Sequence, residues 1–211
     1  MATAGVIHFI ILFVVLRPSF GKSDEQDISN RELCKIFSRN PFFETELVIG
    51  KPWRVYYTWN VNLGSKCLDL IFKNASKTIT QRIWSDMNEY LEHQPNWDAA
   101  ALLMYVGTAR HEALLFTDQG PAGSFIGVPN VAREGNIPPL RKSMTLLKFH
   151  MKLIRGGKYL LVIDCVTGAV TLSARQRDVA ASRSDIVTAA ADLDLGKGYP
   201  ACIKEKNNQD Y

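Results

Sequence analysis

The sequence predicts a mainly β protein, either a sandwich or a barrel, with one α-helix close to its C-terminus. Runs of strand-like residues recur at short intervals, and turns rich in Gly, Asn and Pro separate them. A segment after residue 182 combines a helix start signal, helical periodicity and, at Gly196, a residue typical of helix ends. Because strands do not alternate with helices, the pattern does not indicate a parallel sheet.

Eight strand-like runs follow one another along the chain. They are predicted at residues 53–59, 67–72, 78–84, 99–106, 112–117, 144–154, 158–165 and 169–175, with a further short strand around 125–126 inside a long loop over 120–139. The first three runs are interpreted as an antiparallel meander, and the fourth and fifth as strands joined near residues 110–111. The last two runs form the clearest hairpin.

The first strand carries an unusual amount of aromatic surface. Trp53, Val55, Tyr57 and Trp59 alternate with Arg54, Tyr56 and Thr58 and therefore share one parity. Successive side chains of a strand point to opposite faces, so these four are expected to lie on one face. Such a face suits either the interior of a barrel or an ordinary packed core.

The first residues of the chain are interpreted as a signal peptide, covering 1–21. Residues 6–16 form an apolar run that is too short to span a membrane and suits the central part of a signal peptide, and small residues follow at Ser19 and Gly21. An uncleaved anchor is the alternative. Beyond it we expect a flexible leader at 22–33, one β domain with its helix at 34–202 and a polar tail at 203–211.

Composition narrows the range of partners. The net charge is +4 and no run of Lys or Arg occurs, so no nucleic-acid partner is expected. No second long apolar run follows the first, so we expect a secreted, extracellular protein without a membrane span. The sequon Asn74-Ala75-Ser76 predicts N-glycosylation at Asn74. The oligomeric state is not indicated.

The four cysteines favour disulfides over a metal site. Cys34, Cys67, Cys165 and Cys202 form no Cys-x-x-Cys pair, so zinc is not expected. An even number of cysteines in a secreted chain predicts two disulfides. Three pairings are possible, and their spacing does not choose among them.

The order of these features resembles the lipocalin family over about residues 34–202. Residues 50–53 (GKPW) are similar to the Gly-x-Trp motif at the start of the family's first strand, with one additional residue. Residues 158–165 (KYLLVIDC) are similar to the segment around the sixth and seventh strands, although only Tyr159 remains of the family's Thr-Asp-Tyr. Residues 171–175 (TLSAR) are similar to the strand whose final Arg packs on the motif Trp.

This resemblance implies an eight-stranded antiparallel up-and-down β-barrel with one C-terminal α-helix. Gly50, Trp53 and Arg175 would close one end of the barrel, by a cation–π contact between the Arg and the Trp. Arg177 has the same parity as Arg175 and is the alternative partner.

The resemblance also implies disulfides and a function. By analogy with insect lipocalins of the bilin-binding type, the disulfides are Cys34–Cys165 and Cys67–Cys202. The implied function is a secreted carrier that binds a small hydrophobic ligand, such as a pigment, fatty acid or retinoid, without a further cofactor. Candidate ligand-binding residues, chosen for size and parity, are Tyr57, Trp59, Phe72, Trp84, Tyr105, Phe116, Phe125 and Leu161.

Two other classes of function are weighed against the carrier. The chain has no Gly-x-Ser-x-Gly, no His-Glu-x-x-His and no phosphate-binding loop, so we expect neither an enzyme nor a metal site. The alternative is a secreted interaction protein, such as a protease inhibitor or host-defence modulator. It would act through the loops at residues 86–97 and 120–139.

Titratable residues on the predicted strands are expected to be structural. Asp69 and Asp164 oppose apolar neighbours in parity and are predicted to face water. Glu112 is ambiguous. His93 lies in a polar stretch and is predicted to be exposed, whereas His150 faces either side and is interpreted as a structural residue.

Overall fold

Eight antiparallel strands form a closed barrel in a computed structural model of the protein, which describes residues 24–136, 140–175 and 183–202. The strands are β1 (Trp53–Trp59), β2 (Asp69–Asn74), β3 (Ala100–Val106), β4 (Thr108–Thr117), β5 (Ser124–Pro129), β6 (Leu147–Ile154), β7 (Tyr159–Asp164) and β8 (Val170–Arg175). Each strand pairs with the next, and β1 pairs with both β8 and β2, which closes the barrel. A short strand, β9 (Tyr199–Pro200), pairs with the second half of β1. The predicted fold class is confirmed.

Four helices pack around this barrel in the described part of the chain. They are α1 (Asp24–Phe37), α2 (Thr45–Val48), α3 (Lys77–Met87) and the C-terminal α4 (Arg183–Ala191), and a 3-10 turn covers Trp97–Ala99. Helix α4 ends five residues before Gly196, where the sequence predicts its end. Within the described residues, no helix has the length and apolar character needed to cross a membrane.

The barrel interior is one apolar cluster. Its members come from β1 to β7 and therefore from opposite walls, which places them inside. This interior cluster contains Trp53, Val55, Leu70, Phe72, Leu102, Met104, Val106, Ala113, Leu115, Phe125, Met151, Leu153, Leu160 and Val162, together with loop residues such as Leu63, Leu68 and Ala201. Strand β8 contributes polar residues to the interior instead.

Two further clusters lie on the outer faces of the strands. The first joins α1 and α4 to β1, β7 and β8, and we call it the α4 cluster; it includes Phe37, Trp59, Tyr159, Leu161, Leu172, Ile186 and Ala190. The second joins α3 to β3, β4 and β5, and we call it the α3 cluster; it includes Ile83, Met87, Leu103, Leu114, Phe116 and Val128. Both faces of these strands are therefore buried.

The prediction of a strand over 78–84 is wrong, because this segment belongs to helix α3. Ser76 caps the helix, with its hydroxyl accepting a hydrogen bond from the Ile79 amide at 3.3 Å. Ile79, Ile83 and Met87 follow at i, i+4 and i+8 and form the face that packs on the barrel. The connection from β2 to β3 is thus a helix, and the predicted three-strand meander is wrong.

The prediction that Trp53, Val55, Tyr57 and Trp59 share one face is also wrong. The pairing of β1 with β8 shifts register between Val55 and Tyr57, as at a β-bulge. Trp53 and Val55 point into the interior, whereas Tyr57 and Trp59 lie in the α4 cluster. One extra residue in the strand reverses the direction of every side chain that follows it.

Two loops differ in detail from the prediction. The turn between β3 and β4 lies at Gly107, where φ is +71°, and not near residues 110–111. Strand β5 occupies much more of the segment 120–139 than the short strand predicted there.

The N-terminal part of the described chain is attached to the barrel. Residues 24–33, for which the sequence predicts a flexible leader, are helical and belong to α1. The Asn30 amide donates to the Val166 carbonyl at 3.0 Å, and Cys34 forms a disulfide with Cys165. A second disulfide joins Cys67 to Cys202, so the structure contains the pairs that the resemblance implies. The predicted signal peptide and the polar tail lie outside the described residues.

Candidate ligand-binding interior

One end of the barrel is closed by Trp53 and Arg175. Trp53 is fully buried, and its indole Nε1 donates to the Val48 carbonyl of α2 at 2.9 Å. The guanidinium carbon of Arg175 lies 5.0 Å from the centre of the Trp53 ring, and the same group donates to the Leu47 carbonyl. Arg175 is therefore the residue that packs on Trp53, while Arg177 lies outside the described residues. Gly50 sits at the entry to this end with a φ of +91°.

A row of polar side chains extends from this closed end along the interior face of β8. Thr171 pairs with Val162 of the interior cluster, Ser173 pairs with Val55 and Leu160, and Arg175 follows on the same face. Their alternation places all three inside the barrel. We call Thr171, Ser173 and Arg175 the β8 polar row.

The hydroxyl groups of this row have no hydrogen-bond partner among the described residues. Thr171 Oγ1, Ser173 Oγ and Arg175 Nε are all buried without one, and Ser173 is 0% exposed. Thr58 makes a useful contrast: its hydroxyl is also buried, but it donates to the Val61 carbonyl at 2.7 Å. A buried hydroxyl without a partner is destabilising by about 1–3 kcal/mol. The β8 polar row therefore places unpaired hydrogen-bonding atoms inside an otherwise apolar interior.

The structure separates the predicted ligand-binding residues into three groups. Phe72 and Phe125 belong to the interior cluster. Tyr57, Trp59 and Leu161 belong to the α4 cluster, and Tyr105, Phe116 and the α3 residue Trp84 lie on the α3 side of the barrel wall. Two of the eight candidates therefore belong to the interior cluster, and the structure places the other six outside it.

The sequence analysis did not identify the residues that supply hydroxyl groups to the interior. Thr171 and Ser173 were not selected, because the candidates were chosen for aromatic or apolar size. A signal was nevertheless present in residues 171–175 (TLSAR). If Arg175 faces the interior to reach Trp53, the period of two places Ser173 and Thr171 on the same face.

Glu112 is buried in a charged network on the outer wall, under α3. Its carboxylate accepts bidentate hydrogen bonds from Arg82 of α3, at 2.5 and 3.1 Å, and further bonds from Arg133 at 2.6 Å and Asn130 at 2.9 Å. Burial on its own raises the pKa of Glu112, but these hydrogen bonds outweigh burial and lower it below the ordinary value. Glu112 therefore holds α3 and the segment after β5 on the barrel.

The other titratable strand residues also have structural roles. Asp164 is only 8% exposed, so the prediction that it faces water is wrong; its carboxylate accepts from Val166 N and Thr167 Oγ1, each at 2.8 Å, and orders the β7–β8 turn. Asp69 is partly exposed and pairs with Arg54 at 2.8 and 2.9 Å. The prediction that His93 is exposed is confirmed.

His150 is buried on the outer face of β6, beneath α1. Its ring meets Phe37 edge to face at 6.0 Å, and Nδ1 lies 3.1 Å from the Ser124 hydroxyl. Burial, and to a smaller extent the charge of Lys152, lowers the pKa of His150 to about 4. The residue is therefore neutral in the folded protein near pH 7.

Comparisons of the chain with known protein families, with curated proteins and with solved structures find no match. The closed antiparallel up-and-down barrel, with a helix and a short strand after β8, is consistent with a lipocalin-like fold.

Proposed function

We propose that the protein is a secreted, lipocalin-like carrier that binds one small hydrophobic molecule inside the barrel without chemical change. The observation that carries the proposal is the β8 polar row inside an otherwise apolar interior. Small-molecule sites in proteins are mostly apolar, with a few polar groups that fix the orientation of the ligand. The interior of this barrel has that composition.

The chemistry of the interior favours a ligand with an apolar body and one hydrogen-bonding end. The apolar body would contact the interior cluster, in which Phe72, Leu115 and Met151 are fully buried. The polar end would accept or donate at Ser173 and Thr171, near the positive charge of Arg175. Among the classes implied by the resemblance, a fatty acid or a retinoid has this division into an apolar chain and a single polar end.

Secretion is part of the proposal. Disulfides are stable in oxidising compartments, and this chain has two, which tie segments 131 and 135 residues apart. An oxidised, extracellular barrel agrees with the apolar run at residues 6–16 as a secretion signal.

The alternative, an interaction protein that works through its loops, has weaker support. Both segments proposed for that role are anchored to the barrel wall. In the first, Leu91 is 1% exposed and forms a bridge with Met144. In the second, Asn130 is buried and hydrogen-bonded to Glu112. Anchored loops still present a surface to a protein target. The unpaired hydroxyls inside the barrel, however, would have no role in a protein that acts through its loops.

Native mass spectrometry tests the proposal. The full chain is secreted from eukaryotic cells, and its mass is compared before and after denaturation, with and without added fatty acid or retinoid. A stoichiometry of one small molecule per folded chain, lost on denaturation and weakened in Ser173→Ala, supports a carrier. Failure of every apolar candidate to bind, in wild type as in the variant, argues against one.

A further inference from the structure

The side chain of Arg175 enters the barrel without a carboxylate partner among the described residues. It contacts the Trp53 ring and donates to the Leu47 carbonyl, while its Nε is buried and has no hydrogen-bond partner. Burial of a charge is costly unless an opposite charge or further hydrogen bonds compensate it. Carboxylate partners are present for other arginines of the described chain, namely Arg54, Arg82, Arg133, Arg141 and Arg155. Arg175 therefore places a positive charge at the closed end that no described carboxylate neutralises.

Acidic side chains that are buried elsewhere in the described chain are already engaged. Glu112 accepts hydrogen bonds from Arg82 on the outer wall, and Asp164 orders the β7–β8 turn. Glu134, in the segment after β5, lies 3.2 Å from Nδ1 of His111. None of these acids belongs to the interior cluster, whose members are apolar. The charge of Arg175 thus makes the interior more favourable for an anion than for a neutral molecule, and least favourable for an amine.

The three unpaired atoms of the β8 polar row suit a group that accepts hydrogen bonds. An arginine Nε can only donate, and the hydroxyls of Ser173 and Thr171 can donate as well as accept. Alternate residues of a strand lie about 6.6 Å apart on one face, so a group that bridges Ser173 and Arg175 needs two acceptor atoms. A carboxylate has two oxygens that only accept, and its negative charge strengthens both hydrogen bonds.

We propose that the barrel binds its ligand as an anion, with a carboxylate that accepts hydrogen bonds from Arg175 Nε and from the Ser173 hydroxyl. The ligand is a monocarboxylic acid with one long apolar chain, and it enters with the carboxylate first. The inference rests on the proposed function, because it names the class of ligand for the same interior.

The position of Arg175 determines the orientation of this ligand. Arg175 contacts Trp53 at the closed end, whereas Ser173 and Thr171 follow towards the opposite end of the barrel. The carboxylate therefore lies deepest, and the apolar chain extends among the residues of the interior cluster. Away from water a hydrogen bond between charged groups is stronger than at the surface. A neutral head group at the same place would leave the charge of Arg175 uncompensated.

Two ligands that share a chain length and differ in their head group test the inference. Dodecanoic acid and 1-dodecanol are titrated at pH 7 into the secreted, disulfide-bonded full chain, and each displaces an apolar fluorescent dye. The readout is the ratio of their dissociation constants in the same protein sample. We expect the acid to bind about 10- to 100-fold more tightly than the alcohol, the range of hydrogen bonds to a charged group.

Variants of the β8 polar row test which residues cause this preference. Arg175→Gln should bring the ratio close to one, and a partly unfolded sample does not disturb this readout, because it weakens both ligands by the same factor. Ser173→Ala, for which no loss of stability is expected, should lower the ratio about two- to tenfold through one lost hydrogen bond to the carboxylate. Arg155→Gln is the matched control; Arg155 pairs with Asp192 on the surface, so the ratio should keep its wild-type value.

Equal affinities of the acid and the alcohol in the wild type overturn the inference and leave the carrier in place. A preference for the acid that Arg175→Gln and Ser173→Ala leave unchanged also overturns it, because the carboxylate then binds elsewhere. Failure of the dye and of both ligands to bind counts against the carrier itself. The failure of this inference and that of the proposed function are therefore distinguishable.

Discussion

The guanidinium of Arg175 lies over the indole ring of Trp53, with 5.0 Å between its central carbon and the ring centre. The pair joins the last strand of the barrel to the first. Both residues also bond to α2, Trp53 through the Val48 carbonyl and Arg175 through the Leu47 carbonyl. The two side chains, through their mutual contact and these two hydrogen bonds, therefore hold β1, β8 and α2 together at the closed end.

Substitution of Arg175 should destabilise the barrel more than substitution of a surface arginine. We expect Arg175→Ala to lower the free energy of unfolding by about 2–4 kcal/mol, from the loss of a cation–π contact and a charged hydrogen bond. Arg155→Ala is the control; Arg155 pairs with Asp192 on the surface, and its loss should lower stability by no more than about 1 kcal/mol. Urea unfolding measures both, and equal losses would contradict the role of Arg175.

Because the Ser173 hydroxyl is unpaired, its removal should lower the affinity for a ligand without lowering the stability of the fold. Ser173→Ala removes a buried group without a partner, so the ligand-free protein should keep its stability or gain about 1 kcal/mol. Thr58→Val removes a hydroxyl that is hydrogen-bonded to Val61, so stability should fall by about 1–2 kcal/mol. Affinity for an apolar ligand with a polar end should fall only in Ser173→Ala. A loss of stability in Ser173→Ala as large as that in Thr58→Val would mean that the Ser173 hydroxyl is already satisfied.

The buried Glu112 should determine how the free energy of unfolding falls at acidic pH. Its pKa in the folded protein is below the ordinary value of 4.5, so its stabilisation is present above pH 4.5 and is lost as the pH falls through the folded pKa. We expect Glu112→Gln to lower stability at pH 7 by about 3 kcal/mol, because Arg82 and Arg133 lose their charged partner, and to flatten the decline below pH 4.5. Urea unfolding between pH 3 and pH 7 measures both effects; a parallel decline in variant and wild type would contradict the prediction.

His150 should act in a higher pH window. Its pKa falls from 6.5 to about 4 on folding, so the unfolded chain binds a proton that the folded chain does not, and stability declines as the pH drops from 6.5 to 4. A difference of this size corresponds to as much as about 3 kcal/mol. His150→Gln should remove the slope in this window and leave the slope below pH 4 in place. The same urea series tests it, and an unchanged slope between pH 6.5 and 4 would show that His150 is not protected from protonation.

Elements that form between residues close together in the sequence could be predicted from local signals. The hairpin of β7 and β8 follows from two strand-like runs around a short turn containing Gly168, which has a φ of +73°. The closed end was also predicted, since the residues that resemble the lipocalin motifs include both Trp53 and Arg175. The pairing of β1 with β8 brings these two together.

Features that depend on distant contacts could not be predicted. The register shift after Val55 arises from the pairing of β1 with β8, and no residue of β1 signals it. That single shift moved Tyr57 and Trp59 from the predicted interior to the α4 cluster. Likewise, β-branched residues in 78–84 favour a strand locally, but burial of Ile83 and Met87 against the barrel selects a helix.

Binding inside the barrel is the central claim, and Trp53 provides its most direct measurement. In a Trp84→Phe/Trp97→Phe variant, the remaining tryptophans are Trp53 in the interior and Trp59 under α4. Titration with an apolar fluorescent dye should quench tryptophan emission saturably at one dye per chain. Adding Ser173→Leu, which places an apolar side chain over the polar row, should abolish that binding. Absence of saturable quenching, or binding that Ser173→Leu leaves unchanged, would contradict a ligand site in the barrel.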